Sequence, residues 1–110
     1  MLLEKTPVAG DVASIKFNNG DEIIAKISEI TNDLVTVTKP LLMVLSQDPR
    51  SGQPGVQMAP FWMLGADPSS KFPINRSQII CLVKSNTDAV KGYTAQTTGL
   101  AIPSGSGLIT

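Results

Sequence analysis

The chain predicts an all-β fold: a small, five-stranded, strongly bent barrel with a flexible C-terminal tail. Three observations carry this. Residues 12–38 alternate apolar and polar side chains with the period of two that a half-buried strand requires, and they are interrupted twice by turn-forming residues. Eight prolines and nine glycines in 110 residues favour strands and turns over long helices. A later run, Gln78 to Val83, is apolar at every position after Gln78 and has strand length.

In chain order, residues 1–10 form a lead-in in which Pro7 and Gly10 break any helix begun near Leu2. The first strand is expected near 12–18, with Ala13, Ile15 and Phe17 on one face and Ser14 and Lys16 on the other. Asn18-Asn19-Gly20-Asp21 marks the first hairpin. The second strand, near 21–30, places Ile23, Ala25 and Ile27 in phase, but the next apolar residue is Ile30 rather than position 29. That slip predicts a bulge or sharp bend. Thr31-Asn32-Asp33 marks the second hairpin, and a third strand follows near 34–39. Pro40 should kink it before Leu41 to Leu45 continue in extended form.

Residues 46–55 read as a loop, 56–64 as a fourth strand with Pro60 inside it, and 65–70 as a second loop. Phe72-Pro73-Ile74 leads into a tight turn at Asn75-Arg76-Ser77, and Gln78 to Val83 is the fifth strand, buried on both faces or covered by another subunit. Cys81 within it reads as a small buried apolar residue. Residues 87–91 suit one helical turn that Gly92 would end. The expected organisation is a barrel domain over 1–91 and a flexible tail over 92–110, whose small polar residues bury too little surface to offset ordering. Leu100-Ala101-Ile102 and Leu108-Ile109 are apolar islands in that tail, which either dock on a protein partner or, as is commoner for lone apolar residues in a tail, are incidental. SH3-like, Sm-like and OB-like barrels all fit this outline.

Composition excludes more than it names. Nine basic and nine acidic residues cancel, which weighs against a surface that grips nucleic acid throughout. There is no histidine, so the commonest general base and metal ligand are missing. Ser69, Ser70, Asp67 and Lys71 lack the supporting base of a hydrolase, and Ser104-Gly105-Ser106-Gly107 lacks the lysine of a phosphate-binding loop. Asp21-Glu22 reads as a solvated hairpin. The expectation is a non-enzyme with no cofactor and no metal. Met1-Leu2-Leu3 runs straight into Glu4 and Lys5, unlike a secretory leader, and no apolar run reaches membrane-span length. A cytoplasmic protein without a membrane partner is expected.

Two segments carry a resemblance. Residues 12–38, with Gly20, Ala25, Ile27 and Ile30 in spaced order, resemble the first motif of the Sm/LSm family, to which bacterial Hfq also belongs. Residues 72–82, FPINRSQIICL, resemble its short second motif. The resemblance covers about residues 12–84. It implies a five-stranded Sm-like (SH3-like) barrel, assembly into a homo-oligomeric ring through the fourth and fifth strands, and RNA binding on two loops. The matching RNA-binding positions are Thr31 or Asn32, Asp33, Leu34 with Val35, and Asn75 with Arg76. Apart from the resemblance, Arg76, Lys71 and Lys39 read either as a small phosphate-contacting set on one rim or, as balanced composition favours, as solvated surface charge. The stacking residue of the family is here an acid, its pocket asparagine is Val35, and Arg76 sits one place late, so weak or atypical RNA binding is implied. The ring interface would use Val56, Met58, Phe61, Trp62, Ile79, Ile80 and Leu82. Two other readings stand beside this one. An adaptor or structural protein, for example in a viral particle, would use the barrel and tail for protein contacts. An SH3-like peptide binder would need an aromatic groove that five aromatic residues supply poorly.

Overall fold

A computed structural model describes residues 6–47, 49–61, 65–67 and 69–98. Its strands are β1 (Val12–Phe17), β2 (Glu22–Ile30), β3 (Leu34–Gln47), β4 (Pro54–Pro60), β5 (Lys71–Asn75) and β6 (Ile79–Lys84), followed by helix α1 (Thr87–Thr97). All pairings are antiparallel. The sheet order is β4-β3-β2-β1-β6, with β5 also on β3. The fold is therefore mostly β, but with six strands rather than five, and the sheet is not closed.

The sixth strand arises at the expected kink. Lys39 has φ +48°, a left-handed conformation unfavourable for a side-chain-bearing residue, and Pro40 follows it. Holding a non-glycine there costs roughly 1–3 kcal/mol. Opposite this pair, β2 contributes only Ala25, because the register jumps from Ile24↔Leu41 to Lys26↔Thr38. The bulge bends β3, and no single partner follows its outer edge through the bend. β5 pairs with Leu34 to Thr38, and β4 with Leu41 to Gln47. What sequence suggests as one strand over 56–64 ends at Pro60, and Phe72-Pro73-Ile74 belongs to a strand of its own rather than to a lead-in. The loop expected at 46–55 shrinks because β3 runs to Gln47 and β4 starts at Pro54.

The phase slip in β2 is a real bulge: Ile27 pairs with Val37 and Glu29 with Thr36, leaving Ser28 extra. The first hairpin also follows its residues. Gly20 sits at φ +96°, its N–H donates to the Phe17 carbonyl, and Asn19 Oδ1 accepts from the Asp21 N–H.

Two apolar clusters result. On the concave face Ala13, Ile15, Ile23, Ala25, Ile27, Val35 and Val37 form the core, as the period of two requires. On the other face Ile24 and Leu41 are buried under Tyr93 of α1, with Met43 and Met58 against them. The helix runs through Gly92 instead of ending there, for a steric reason. A Cβ at Gly92 would lie 3.3 Å from the Met58 Cε, so glycine lets the helix lie close to β4. Asn86 caps it, Oδ1 accepting from the Ala89 N–H at 2.8 Å. Residues 92–97, expected in the tail, are thus helix and Thr98 is its C-cap; the remainder of the expected tail, 99–110, lies outside the described residues.

Tyr93 joins helix to sheet. Its hydroxyl accepts from the Lys26 N–H and donates to the Thr38 carbonyl, both at 3.1 Å, bridging β2 and β3 beside the Lys39-Pro40 bulge. Burial pushes the phenol pKa up from 10.0 to about 12, against the opposing pull of the Lys26 N–H.

β6 is an edge. Among the described residues it pairs with β1 alone, with Ile80 bulged out between Cys81↔Lys16 and Ile79↔Phe17. Ile79 and Leu82 pack on the core, while Ile80 is 63% exposed and Val83 and Cys81 are also exposed. Cys81 is therefore not a buried apolar residue. The expectation that β6 is covered on both faces is not met within one chain.

Candidate functional site

The hairpin after β2 and the turn after β5 meet at one rim. They meet because Leu34 at the start of β3 pairs with Asn75 at the end of β5. The Arg76 N–H donates to the Asp33 carbonyl at 2.9 Å, and Arg76 Nη1 donates more weakly to the Thr31 carbonyl at 3.4 Å. The Thr31 hydroxyl oxygen accepts from the N–H groups of Asp33 and Leu34, which holds the first turn. Asn75 Oδ1 accepts from the Ser77 N–H and caps the 3-10 turn over Arg76–Gln78. Asn18 Nδ2 reaches the Ser77 carbonyl and ties the first hairpin to the same turn.

Of the RNA-binding positions suggested by sequence, Asn32, Asp33, Asn75 and Arg76 come together here, all exposed. Val35 does not join them, because it is fully buried in the core. Lys39 does not join them either. It lies beyond the β3 bend, where its Nζ donates to the Thr97 carbonyl at 3.2 Å. The rim holds one cation and one carboxylate and no aromatic ring, so it offers hydrogen-bond donors and acceptors without a stacking surface. Most of the Arg76 donor fork remains free for a ligand, since a guanidinium carries five N–H groups and only one is engaged.

Below the rim, between β3 and β6, a cavity of about 200 Å³ is lined by Val35, Arg76 and β6 residues from Ile79 to Leu82. It marks the seam where the sheet fails to close. Among the residues expected at a subunit interface, Ile80 is exposed on this edge and Val56 is 59% exposed on β4. Met58 is covered by α1, Ile79 and Leu82 face the core, and Trp62 lies outside the described residues. Phe61 stacks on Phe17, with ring centroids 6.0 Å apart.

Sequence reasoning missed Tyr93. The signal was present as Asn86, a capping residue, followed by Ala89 and Tyr93 at the four-residue spacing of one helix face. Among the described residues no group of three or more acidic or cysteine side chains is placed to hold a metal. No described helix is long and apolar enough to cross a membrane. No protein-family model matches the chain, and no curated protein matches it.

Proposed function

We propose that the chain is a non-catalytic, Sm-like subunit of a closed homo-oligomeric ring, and that the rim around Arg76 binds single-stranded RNA weakly. The observation that carries the assembly is the open sheet. Among the described residues β4, β5 and β6 each pair on one side only, and β6 presents Ile80, Cys81 and Val83 to solvent. Such an edge pairs with any strand it meets unless it is covered. Pairing β5 of one copy with β6 of the next uses two different edges of the same chain, and a heterologous contact of this kind closes into a ring when its rotation permits.

RNA binding rests on the convergence of the two loops and on the free donors of Arg76, Asn32 and Asn75. Asp33 beside Arg76 and the lack of a stacking ring keep it weak. The same two features favour a second reading, in which the ring is a scaffold for protein contacts.

Size-exclusion chromatography with light scattering, recorded at 260 and 280 nm, tests both. A ring-sized mass with excess absorbance at 260 nm supports the RNA reading, and Arg76→Ala should then remove the excess. A ring-sized mass with a protein spectrum transfers the role to scaffolding. A monomer refutes the ring.

A further inference from the structure

A second cavity, of about 560 Å³, lies on the α1 face of the sheet, away from the rim; Lys26, which lines it, is five residues along the chain from Thr31. Its floor is the bulge between β2 and β3, and its wall is the last turn of α1. The lining combines Lys26 and Lys39 with the hydroxyls of Thr38, Thr94 and Thr98, and among the described residues it contains no carboxylate.

The strand register adds a third cation. Thr38 pairs with Lys26 on one side and with Lys71 on the other, and residues directly opposite one another project from the same face. Lys26, Thr38 and Lys71 therefore form one row across three strands, with Lys39 next in sequence. In a chain of zero net charge, three of the nine basic residues gather on this patch. Among the described residues none of the three is in an ion pair, whereas Lys84, on β6, pairs with Asp11. Lys26 and Lys71 flank Thr38 from the two strands on either side of β3, so an anion placed over Thr38 is within reach of ammonium groups from both sides.

Lys39 is also the residue held at positive φ, where glycine would be free of strain. Its ammonium gives one N–H to the Thr97 carbonyl and keeps two. The Thr97 and Ser69 hydroxyls already donate to the Tyr93 carbonyl and to Asp67, so Thr94 and Thr98 are the wall's available hydroxyl donors.

We propose that this cavity binds a small phosphomonoester, its phosphate held by Lys26, Lys39 and Lys71 and its organic part lying along Val12 and the last turn of α1. Ammonium groups and hydroxyls are the donors a phosphate dianion takes, and the volume exceeds what the phosphate alone fills. The proposal is independent of ring formation and of the rim around Arg76.

The test is calorimetric titration of the full chain with inorganic phosphate and, separately, with 5′-AMP, in a phosphate-free buffer of low salt. Saturable binding is expected at one ligand per chain. Lys26→Gln, Lys71→Gln and Lys39→Gly should each weaken it by at least about tenfold, as loss of a charge-assisted hydrogen bond implies. Lys16→Gln, on β1 outside the cavity, should bind as wild type does. Lys39→Gly should melt at the same or a higher temperature, which separates lost binding from lost folding. Tighter binding of 5′-AMP than of phosphate assigns the site to a nucleotide-sized ester, and equal binding assigns it to phosphate itself. Absence of saturable binding to either, or binding unchanged in all three lysine variants, overturns the proposal.

Discussion

Replacing Tyr93 by phenylalanine removes one oxygen and tests how the helix is held to the sheet. The ring stays, so the apolar contacts with Ile24 and Leu41 stay. What is lost is the bridge between the Lys26 N–H and the Thr38 carbonyl. Tyr93 is only 4% exposed, so water has little access to replace the oxygen. An orphaned buried group costs about 1–3 kcal/mol, and a carbonyl tolerates the loss better than an N–H. With two groups affected, both partly buried, the expected loss is about 2 kcal/mol, a large part of the ~5–15 kcal/mol that holds a domain together. For a chain of this size that is a fall in Tm of roughly 8–16 °C.

Urea unfolding at pH 7, followed by circular dichroism, measures it. Alkaline pH supplies an independent check. The folded state raises the phenol pKa from 10.0 to about 12, so it favours the protonated form. The stabilisation linked to that shift is complete below pH 10 and declines as pH rises to about 12, because the unfolded chain gives up the proton first. This is the single tyrosine of the chain, so the wild-type advantage over Tyr93→Phe should narrow across that interval. A stability difference under about 0.5 kcal/mol at pH 7, the range of an ordinary surface substitution, would refute the bridging argument.

Three further outcomes are expected. Ile80→Lys places a charge on the exposed bulge of β6 and should convert a ring to monomers in light scattering while leaving the melting temperature of dilute protein within a few degrees. Gly20→Ala forces a side chain into φ +96° with nothing within 4 Å of the new Cβ, so its cost is conformational, about 1–2 kcal/mol in urea unfolding. Asn86→Ala removes the cap on the Ala89 N–H and should cost about 1 kcal/mol, with amide exchange accelerated first in α1.

The first half of the fold was legible because its signals are local. The alternation in β1, the glycine turn after it and the phase slip at Ser28 each act within a few residues, and each is where the periodicity places it. Pro40 announced a kink, but the kink's consequence is tertiary. A bent β3 requires two partners, and nothing in Pro54 to Pro60 or Lys71 to Asn75 read separately says that both lie along one strand. Gly92 misled for a similar reason. Its usual effect is to end a helix, but one is tolerated inside a helix at a cost of about 1 kcal/mol, and here a Cβ would crowd the end of Met58. Cys81 looked buried because its neighbours are apolar, yet a strand at an open edge has one uncovered face. The rim was found because both hairpin and turn carry recognisable turn residues. Lys39 is not at the rim because the bend in β3 carries it against the end of α1.

The division of β3's outer edge has a further consequence. Pro60 is held opposite Leu41 and Lys71 opposite Thr38, so the two ends of the intervening segment are anchored three residues apart on a single strand. The Phe61 N–H on the Pro40 carbonyl tightens the first anchor. Neither anchor depends on the length of what lies between them. Each doubling of a flexible connection adds only about 0.6 kcal/mol to the entropy of closing it. The register of β4 and β5 on β3 is thus fixed by the two anchors themselves, and a longer connection between Pro60 and Lys71 should leave both pairings in place.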